Sequence, residues 1–161
     1  MRNKIVKFAN LSSLVKKIKH RKKTIVLVGG CFDIFHIGHL RFLTSAKKTA
    51  DCLLVALEAD EKVKDLKGPN RPIHSQKERA EILAALSDVD YVLRLPKFSN
   101  DKDYFNLVNT VRPEIVAVTK NDPAIRKKRE QLKKIGGQLK IVTPRISTYS
   151  TSQLAKLLKI D

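Results

Sequence analysis

The segment from Gly29 to His39 reads GGCFDIFHIGH and sets the expected fold class. It follows the Val- and Ile-rich run Thr24–Gly29, which predicts a buried strand, and it leads into the helical spacing of His39–Lys48. A glycine-rich turn before a helix presents unpaired N–H groups at the positive end of the helix dipole, which favours an anion. The stretch therefore predicts an α/β unit with a phosphate site at this turn.

Two histidines in this stretch, His36 and His39, flank Gly38. Gly38 has no side chain, so a phosphate can approach the backbone there. The two imidazoles can donate hydrogen bonds to that phosphate as its charge shifts during a transfer reaction. A pair of histidines is more often structural in isolation, but the context of strand, turn and helix favours a catalytic role here.

The rest of the chain repeats the alternation of strand and helix. Further strands are predicted at Cys52–Leu57, Val89–Leu95, Glu114–Val118 and Leu139–Val142, and helices at Leu11–Ile18, Ser75–Leu86, Asp103–Val111, Pro123–Ile135 and Ser152–Ile160. This order predicts an α/β fold with a Rossmann-like open parallel sheet and helices on both faces. We expect a single domain over residues 1–161, in which residues 1–23 form an N-terminal helix and a basic lead-in. Ligands of such sheets bind beyond the carboxyl ends of the strands.

The composition favours a globular protein without a membrane span. Of the 161 residues 42% are hydrophobic, yet no apolar run approaches the roughly 18 residues that a spanning helix needs. The basic N-terminus lacks the apolar region of a signal peptide, so we expect a cytoplasmic protein. Two cysteines cannot form a disulfide framework.

The formal charge of +17 is concentrated in residues 16–23 and 126–134. A field of this sign attracts polyanions such as nucleic acid. We find no RNA-binding signature and few aromatic residues for stacking on bases, so solvated helix faces are the favoured interpretation. A nucleic-acid partner stays open but is not favoured.

A second candidate anion site lies near the C-terminus, where Ser150, Thr151 and Ser152 open the last predicted helix. Hydroxyl groups and backbone N–H groups at a helix start bind anions. In isolation this stretch is an ordinary helix cap. Together with His36 and His39 it predicts two neighbouring helix openings that hold one triphosphate.

These motifs resemble those of a known superfamily. His36-Ile37-Gly38-His39 matches the signature of the HIGH nucleotidyltransferases, and Gly30–Asp33 matches their preceding Gly-x-Phe-Asp. Class I aminoacyl-tRNA synthetases share His-x-Gly-His, but they are much longer. Within the superfamily the chain is most similar to the cytidylyltransferase-like adenylyltransferases that form ADP-heptose, through Leu66–Gly68, Gln76–Arg79 and Ser150–Ser152.

The resemblance implies a reaction. A nucleoside monophosphate is transferred from ATP, or less favourably CTP, to a phosphorylated small molecule such as a sugar 1-phosphate, with Mg²⁺ as cofactor and pyrophosphate as product. Glycerol-3-phosphate cytidylyltransferases and FAD synthetases are similar alternatives, and Arg145, five residues before Ser150, favours CTP. Relatives are frequently homodimers. An alternative of another class is a catalytically weak module that binds nucleotide or RNA.

The resemblance also implies residue roles. His36 and His39 are expected to be catalytic; Asp33 is expected to orient its loop or to meet Mg²⁺ through water. We expect Lys47, Lys67 and Arg79 to bind the acceptor or a phosphate, with solvated helix residues or a loop anchor as alternatives. Lys120 stands where the families carry a glycine. The residues expected to bind nucleotide are Gly30, Cys31, Phe32, Asp33, Gly38, Asp122, Arg145, Ser150, Thr151 and Ser152.

Overall fold

The computed structural model describes residues 3–143 and 151–159, which form one parallel six-stranded sheet with helices on both faces. The order across the sheet is β1-β4-β3-β2-β5-β6. The expected Rossmann-like open parallel sheet is therefore confirmed. The strands are β1 (Ile5–Lys7), β2 (Ile25–Gly30), β3 (Cys52–Leu57), β4 (Tyr91–Arg94), β5 (Ile115–Thr119) and β6 (Gln138–Thr143).

The helices pack on both faces because alternate residues of a strand point to opposite sides. The helices are α1 (Leu11–His20), α2 (Ile37–Lys47), α3 (Asp60–Lys67), α4 (Gln76–Ala85), α5 (Asp101–Val111), α6 (Ile125–Lys133) and α7 (Thr151–Leu157). In β2, Ile25 and Leu27 belong to the hydrophobic core shared with α1, α5 and α6. Val26 and Val28 belong to the core shared with α2 and α4. No helix within residues 3–143 and 151–159 is both long and apolar enough to cross a membrane.

The sequence did not predict strand β1 or helix α3. The edge strand β1 has only three residues and depends on a distant partner, since Ile5 pairs with Val92 of β4. Helix α3 has only two apolar residues, Val63 and Leu66, and only Val63 is buried, so its apolar pattern is too short to predict a helix. Acidic residues in its first turn and lysines in its last turn instead complement the helix dipole.

The order of the strands reverses at β2, and this reversal indicates where on the sheet a ligand would bind. The chain passes from β2 to β3 on one side and later returns to β5 on the other side of β2. The loops that follow β2 and β5 therefore diverge and leave a crevice at the carboxyl ends of these strands. Helix α4 begins with the expected capping box, in which Ser75 accepts from the Glu78 amide and the Glu78 side chain bonds the Ser75 amide.

Candidate active site

A cleft of about 490 Å³ opens at the carboxyl ends of β2 and β5. It brings both predicted helix openings together, because the Thr151 hydroxyl donates to the Asp33 carbonyl oxygen over 3.3 Å. Arg145 and Ser150 lie outside the described residues. The sequence-predicted residues that line the cleft are Gly30, Cys31, Phe32, Asp33, His36, Gly38, His39, Lys67, Asp122, Thr151 and Ser152.

His36 is the N-cap of α2. Its Nδ1 accepts a hydrogen bond from the Gly38 amide over 3.0 Å. Burial, and then the charge of Lys67, lower the pKa of His36 below its usual value, so the ring is neutral at pH 7. Because Nδ1 accepts, the proton of the neutral ring lies on Nε2. This cap fixes His36 as a hydrogen-bond donor at the start of the helix.

His39 lies one helical turn further on and is more deeply buried. Burial, followed by the nearby His36 and Lys67, lowers the pKa of His39 to about 3. Within the described part of the chain its buried Nδ1 has no hydrogen-bond partner. The Phe32 and Phe35 rings contact its imidazole, with centroid distances of 5.2 and 5.5 Å. Because His39 also lines the cleft, its neutral imidazole can offer a hydrogen bond to a ligand there.

The turn after β2 contains Gly30 and Phe32, and the Phe32 side chain packs against Gly30. Its backbone is in the left-handed region, with φ at 48°, and its side chain is only 5% exposed. A Cβ on Gly30 would lie 2.9 Å from a carbon of the Phe32 ring. A larger residue at this position would therefore require the Phe32 ring to shift.

Lys67 supplies the positive charge of the cleft at the end of α3. Together with burial, which is the larger cause, the nearby charge of Lys67 lowers the pKa of His36 and of His39. Burial nevertheless raises the pKa of the Cys31 thiol above its usual value. Cys31 therefore lines the cleft as a thiol, the less nucleophilic form of cysteine.

Asp33 serves to orient its loop. The Arg71 guanidinium contacts Asp33 Oδ2 through Nε at 2.7 Å and Nη2 at 2.6 Å, and the Ile73 and His74 amides donate to the same carboxylate. Burial acts to raise the pKa of Asp33, but these hydrogen bonds outweigh it and hold the pKa below its usual range. Of the two expected roles, the contacts are those of a loop anchor.

Arg79 is also an anchor, and the expectation that it contacts a phosphate is wrong. The residue is 1% exposed. Its guanidinium donates to the carbonyl oxygens of Cys31, Glu58 and His74 and to the carboxylate of Asp60. Because these contacts use its donors inside the protein, Arg79 holds the loop after β2 rather than a ligand.

The assignment of Lys47 to the acceptor is wrong as well. Lys47 lies at the far end of α2, and its Nζ donates to Asp90 Oδ2 at 2.6 Å and to the Asp51 carbonyl oxygen. Asp51 and Asp90 precede β3 and β4, so Lys47 lies at the amino-terminal edge of the sheet. An 11-residue helix carries its last residue roughly 16 Å from its first turn.

Asp122 borders the cleft, but its carboxylate already accepts hydrogen bonds from residues in and just before α6. Its Oδ1 accepts from the Ala124 amide and its Oδ2 accepts from Lys128 Nζ, both at 2.7 Å. Sequence reasoning did not single out Thr119, Asn121 or Thr143, which also line the cleft. Thr119 and Thr143 end β5 and β6 and Asn121 follows β5, and this position is the signal that could have found them, since ligand sites lie at the carboxyl ends of parallel strands.

Fold and site together define a doubly wound α/β protein with a cationic ligand cleft at its topological switch point. The family model described as Cytidylyltransferase-like matches residues 27–156. The chain therefore belongs to the Cytidylyltransferase-like family of nucleotidyltransferases, as the HIGH motif indicated.

The chain is similar to several curated relatives that carry the name Bifunctional protein HldE, two of which show the range of the match. The protein from Campylobacter fetus is 44% identical over 68% of this chain and 23% of its own length. The protein from Koribacter versatilis is 35% identical over 94% of this chain and 30% of its own length. The chain thus spans about a quarter of the length of these relatives.

Two solved structures share the fold. The lipopolysaccharide core biosynthesis protein from Thermoplasma volcanium has a TM-score of 0.60 and 27% identity, over 76% of this chain and 97% of its own. The pantoate-beta-alanine ligase from Francisella tularensis has a TM-score of 0.62 over 96% of this chain and 76% of its own. Its identity of 15% supports the fold alone.

Proposed function

We propose that the chain transfers a nucleoside monophosphate from a nucleoside triphosphate, ATP in preference to CTP, to the phosphate of a small molecule. The observation that carries this proposal is the convergence of His36, His39, Lys67, Thr151 and Ser152 on one cleft. A nucleoside triphosphate needs such a set of donors and positive charge along its phosphates.

A sugar 1-phosphate is the proposed acceptor. The motif resemblance to ADP-heptose-forming enzymes implies this substrate class. The name of the Thermoplasma volcanium neighbour, a lipopolysaccharide core biosynthesis protein, supports a role in sugar chemistry. The relatives named HldE are bifunctional, and the chain covers only part of their length.

In the proposed reaction an oxygen of the acceptor phosphate attacks the α-phosphorus and forms the new P–O bond. The bond between the α-phosphorus and its bridging oxygen breaks, and pyrophosphate leaves with the electron pair. His36 and His39 donate to the phosphate oxygens as negative charge develops, while Thr151 and Ser152 hold the β and γ end. Such reactions depend chiefly on positioning and charge stabilisation.

We propose that Mg²⁺ would be bound mainly by the phosphates of the nucleoside triphosphate. Asp33 is committed to Arg71 and two amides, and Asp122 to Lys128 and its own helix. Within the described residues no three His, Cys, Asp or Glu side chains form a metal cluster. Mg²⁺ often keeps several waters and few protein ligands, and it would neutralise charge on the triphosphate.

Two measurements test the proposal. A thermal-shift series with Mg²⁺ and ATP, CTP, GTP or UTP identifies the base, because ligand binding raises stability by mass action. Pyrophosphate release is then measured for the best nucleotide with sugar 1-phosphates, glycerol 3-phosphate and FMN. We expect stabilisation by ATP and release with a sugar 1-phosphate. A protein that releases no pyrophosphate with any pair, but binds RNA with a steep salt dependence, would contradict the proposal.

A further inference from the structure

A second cavity, of about 140 Å³, lies at the amino-terminal edge of the sheet. We call it the basic cavity, because Lys4, Lys17, Arg21 and Lys23 line it together with Asp51 and Asp90. It adjoins the starts of β3 and β4, whereas the active-site cleft lies at the carboxyl edge of the sheet. A six-residue strand separates the two edges by roughly 20 Å. The basic cavity is therefore distinct from the candidate active site.

The two carboxylates of the basic cavity already have partners. Asp90 Oδ2 accepts from Lys47 Nζ at 2.6 Å and from the Leu53 amide at 2.7 Å. Asp51 Oδ2 accepts from the amide and the hydroxyl of Thr24. Neither carboxylate is in a salt bridge with a cation that lines the cavity. Among the described residues, Lys17, Arg21 and Lys23 form no salt bridge.

The local backbone brings these cations together. Lys17 and Arg21 are four residues apart at the end of α1, where like charges repel. The helix ends in a turn in which Lys22, not glycine, takes the left-handed conformation, with φ at 54°. The Lys22 amide bonds the Lys19 carbonyl oxygen and the Lys23 amide bonds that of Ile18. Arg21 and Lys23, the residues before and after Lys22 in the sequence, thus both line the cavity.

From this geometry we propose that the basic cavity is a binding site for a phosphate group. Four cationic side chains and two carboxylates line the cavity, and both carboxylates already have hydrogen-bond partners, so the cavity carries an excess of positive charge. The negative end of the α1 helix dipole offsets only about half a charge of this excess. The cavity, at about 140 Å³, is large enough to admit a tetrahedral phosphate group. Arginine and lysine together supply the fork and the point charges that phosphate prefers.

The phosphate belongs to a small anion or to a nucleic-acid backbone, and one experiment separates these sources. The full chain is titrated with inorganic pyrophosphate, and in parallel with a single-stranded oligonucleotide, while amide signals are followed by NMR. The Cys52 and Tyr91 amides report on the basic cavity, and the Gly30 and His39 amides report on the active-site cleft. If a nucleic acid is the source, the oligonucleotide acts at lower concentration and with a steep salt dependence. If a small anion is the source, pyrophosphate alone shifts Cys52 and Tyr91.

The double variant Arg21→Gln/Lys23→Gln tests the site itself. We expect the affinity measured at Cys52 and Tyr91 to fall by about tenfold or more, because two cations no longer face the anion, while Gly30 and His39 respond as before. The control Lys16→Gln/Lys22→Gln removes the same charge outside the cavity lining and should bind as the wild type does. The inference is overturned if neither anion shifts Cys52 and Tyr91, or if both double variants weaken binding equally. It does not depend on the proposed function, because turnover is not measured.

Discussion

The imidazole rings of His36 and His39 stack with their centroids 3.9 Å apart and their planes inclined by 24°. Burial lowers the pKa of both rings, and it is reinforced by the nearby His36 at His39 and by Lys67 at both rings. Both rings are therefore neutral donors at pH 7. His36 has a second task, because its Nδ1 caps α2.

His36→Asn separates these two tasks. Asparagine is a good N-cap residue but lacks the imidazole Nε2–H, so we expect pyrophosphate release to fall by about 10²–10³ with stability nearly unchanged. His36→Ala loses the cap as well and should unfold more easily by about 1 kcal/mol. Enzyme assays and denaturant unfolding of both variants give the comparison. Wild-type rates in His36→Asn would contradict the catalytic role.

The pKa of His39 predicts a loss of stability in acid. Its pKa of about 3 in the folded protein lies below the usual 6.5, so the unfolded chain binds the proton that the folded chain resists. The free energy of unfolding should fall by up to about 1.4 kcal/mol per pH unit as pH drops below 6.5 towards 3. Denaturant unfolding at pH 7 and pH 5 measures it. His39→Asn should reduce this slope, and a slope equal to that of the wild type would contradict the assignment.

Lys67 and Lys47 should differ in their effect on activity. Lys67 lines the cleft, whereas Lys47 is paired with Asp90 at the opposite edge of the sheet. Lys67→Gln removes a positive charge from the cleft, so we expect about a tenfold loss in pyrophosphate release. Lys47→Gln should retain the wild-type rate and lose at most about 1 kcal/mol of stability. Equal losses of activity in the two variants would refute this distinction.

Gly30 should not tolerate a methyl group. In Gly30→Ala the new Cβ would meet the Phe32 ring at 2.9 Å, and overpacking of this kind costs about 1–3 kcal/mol. The neighbouring Gly29→Ala is the control, because the nearest atom to its Cβ is the Ala56 carbonyl oxygen at 3.9 Å. Urea unfolding of the two variants should show a clear loss for Gly30→Ala only. A similar stability for both would mean that the ring can move away at little cost.

Local patterns in the sequence predicted the strands β2 to β6, six of the seven α-helices within residues 3–143 and 151–159, and many of the residues that line the cleft. Runs of Val and Ile predict buried strands regardless of what they pair with, and His36–His39 identifies a helix start within a few residues. Ser75 with Glu78 did the same for α4. These features could be predicted because their causes lie within a turn or two of the chain.

Which of the candidate cations face the cleft depends on how distant segments of the chain pack together. Lys47 and Lys67 both end helices, but α2 runs away from the carboxyl edge of the sheet and carries Lys47 with it. Arg79 became an anchor because packing of α4 brings the carbonyl oxygens of Cys31 and Glu58 to its guanidinium. Likewise β1 exists only where β4 supplies its hydrogen bonds. Such outcomes depend on partners far apart in sequence, whose distances are fixed only when the sheet and helices have packed.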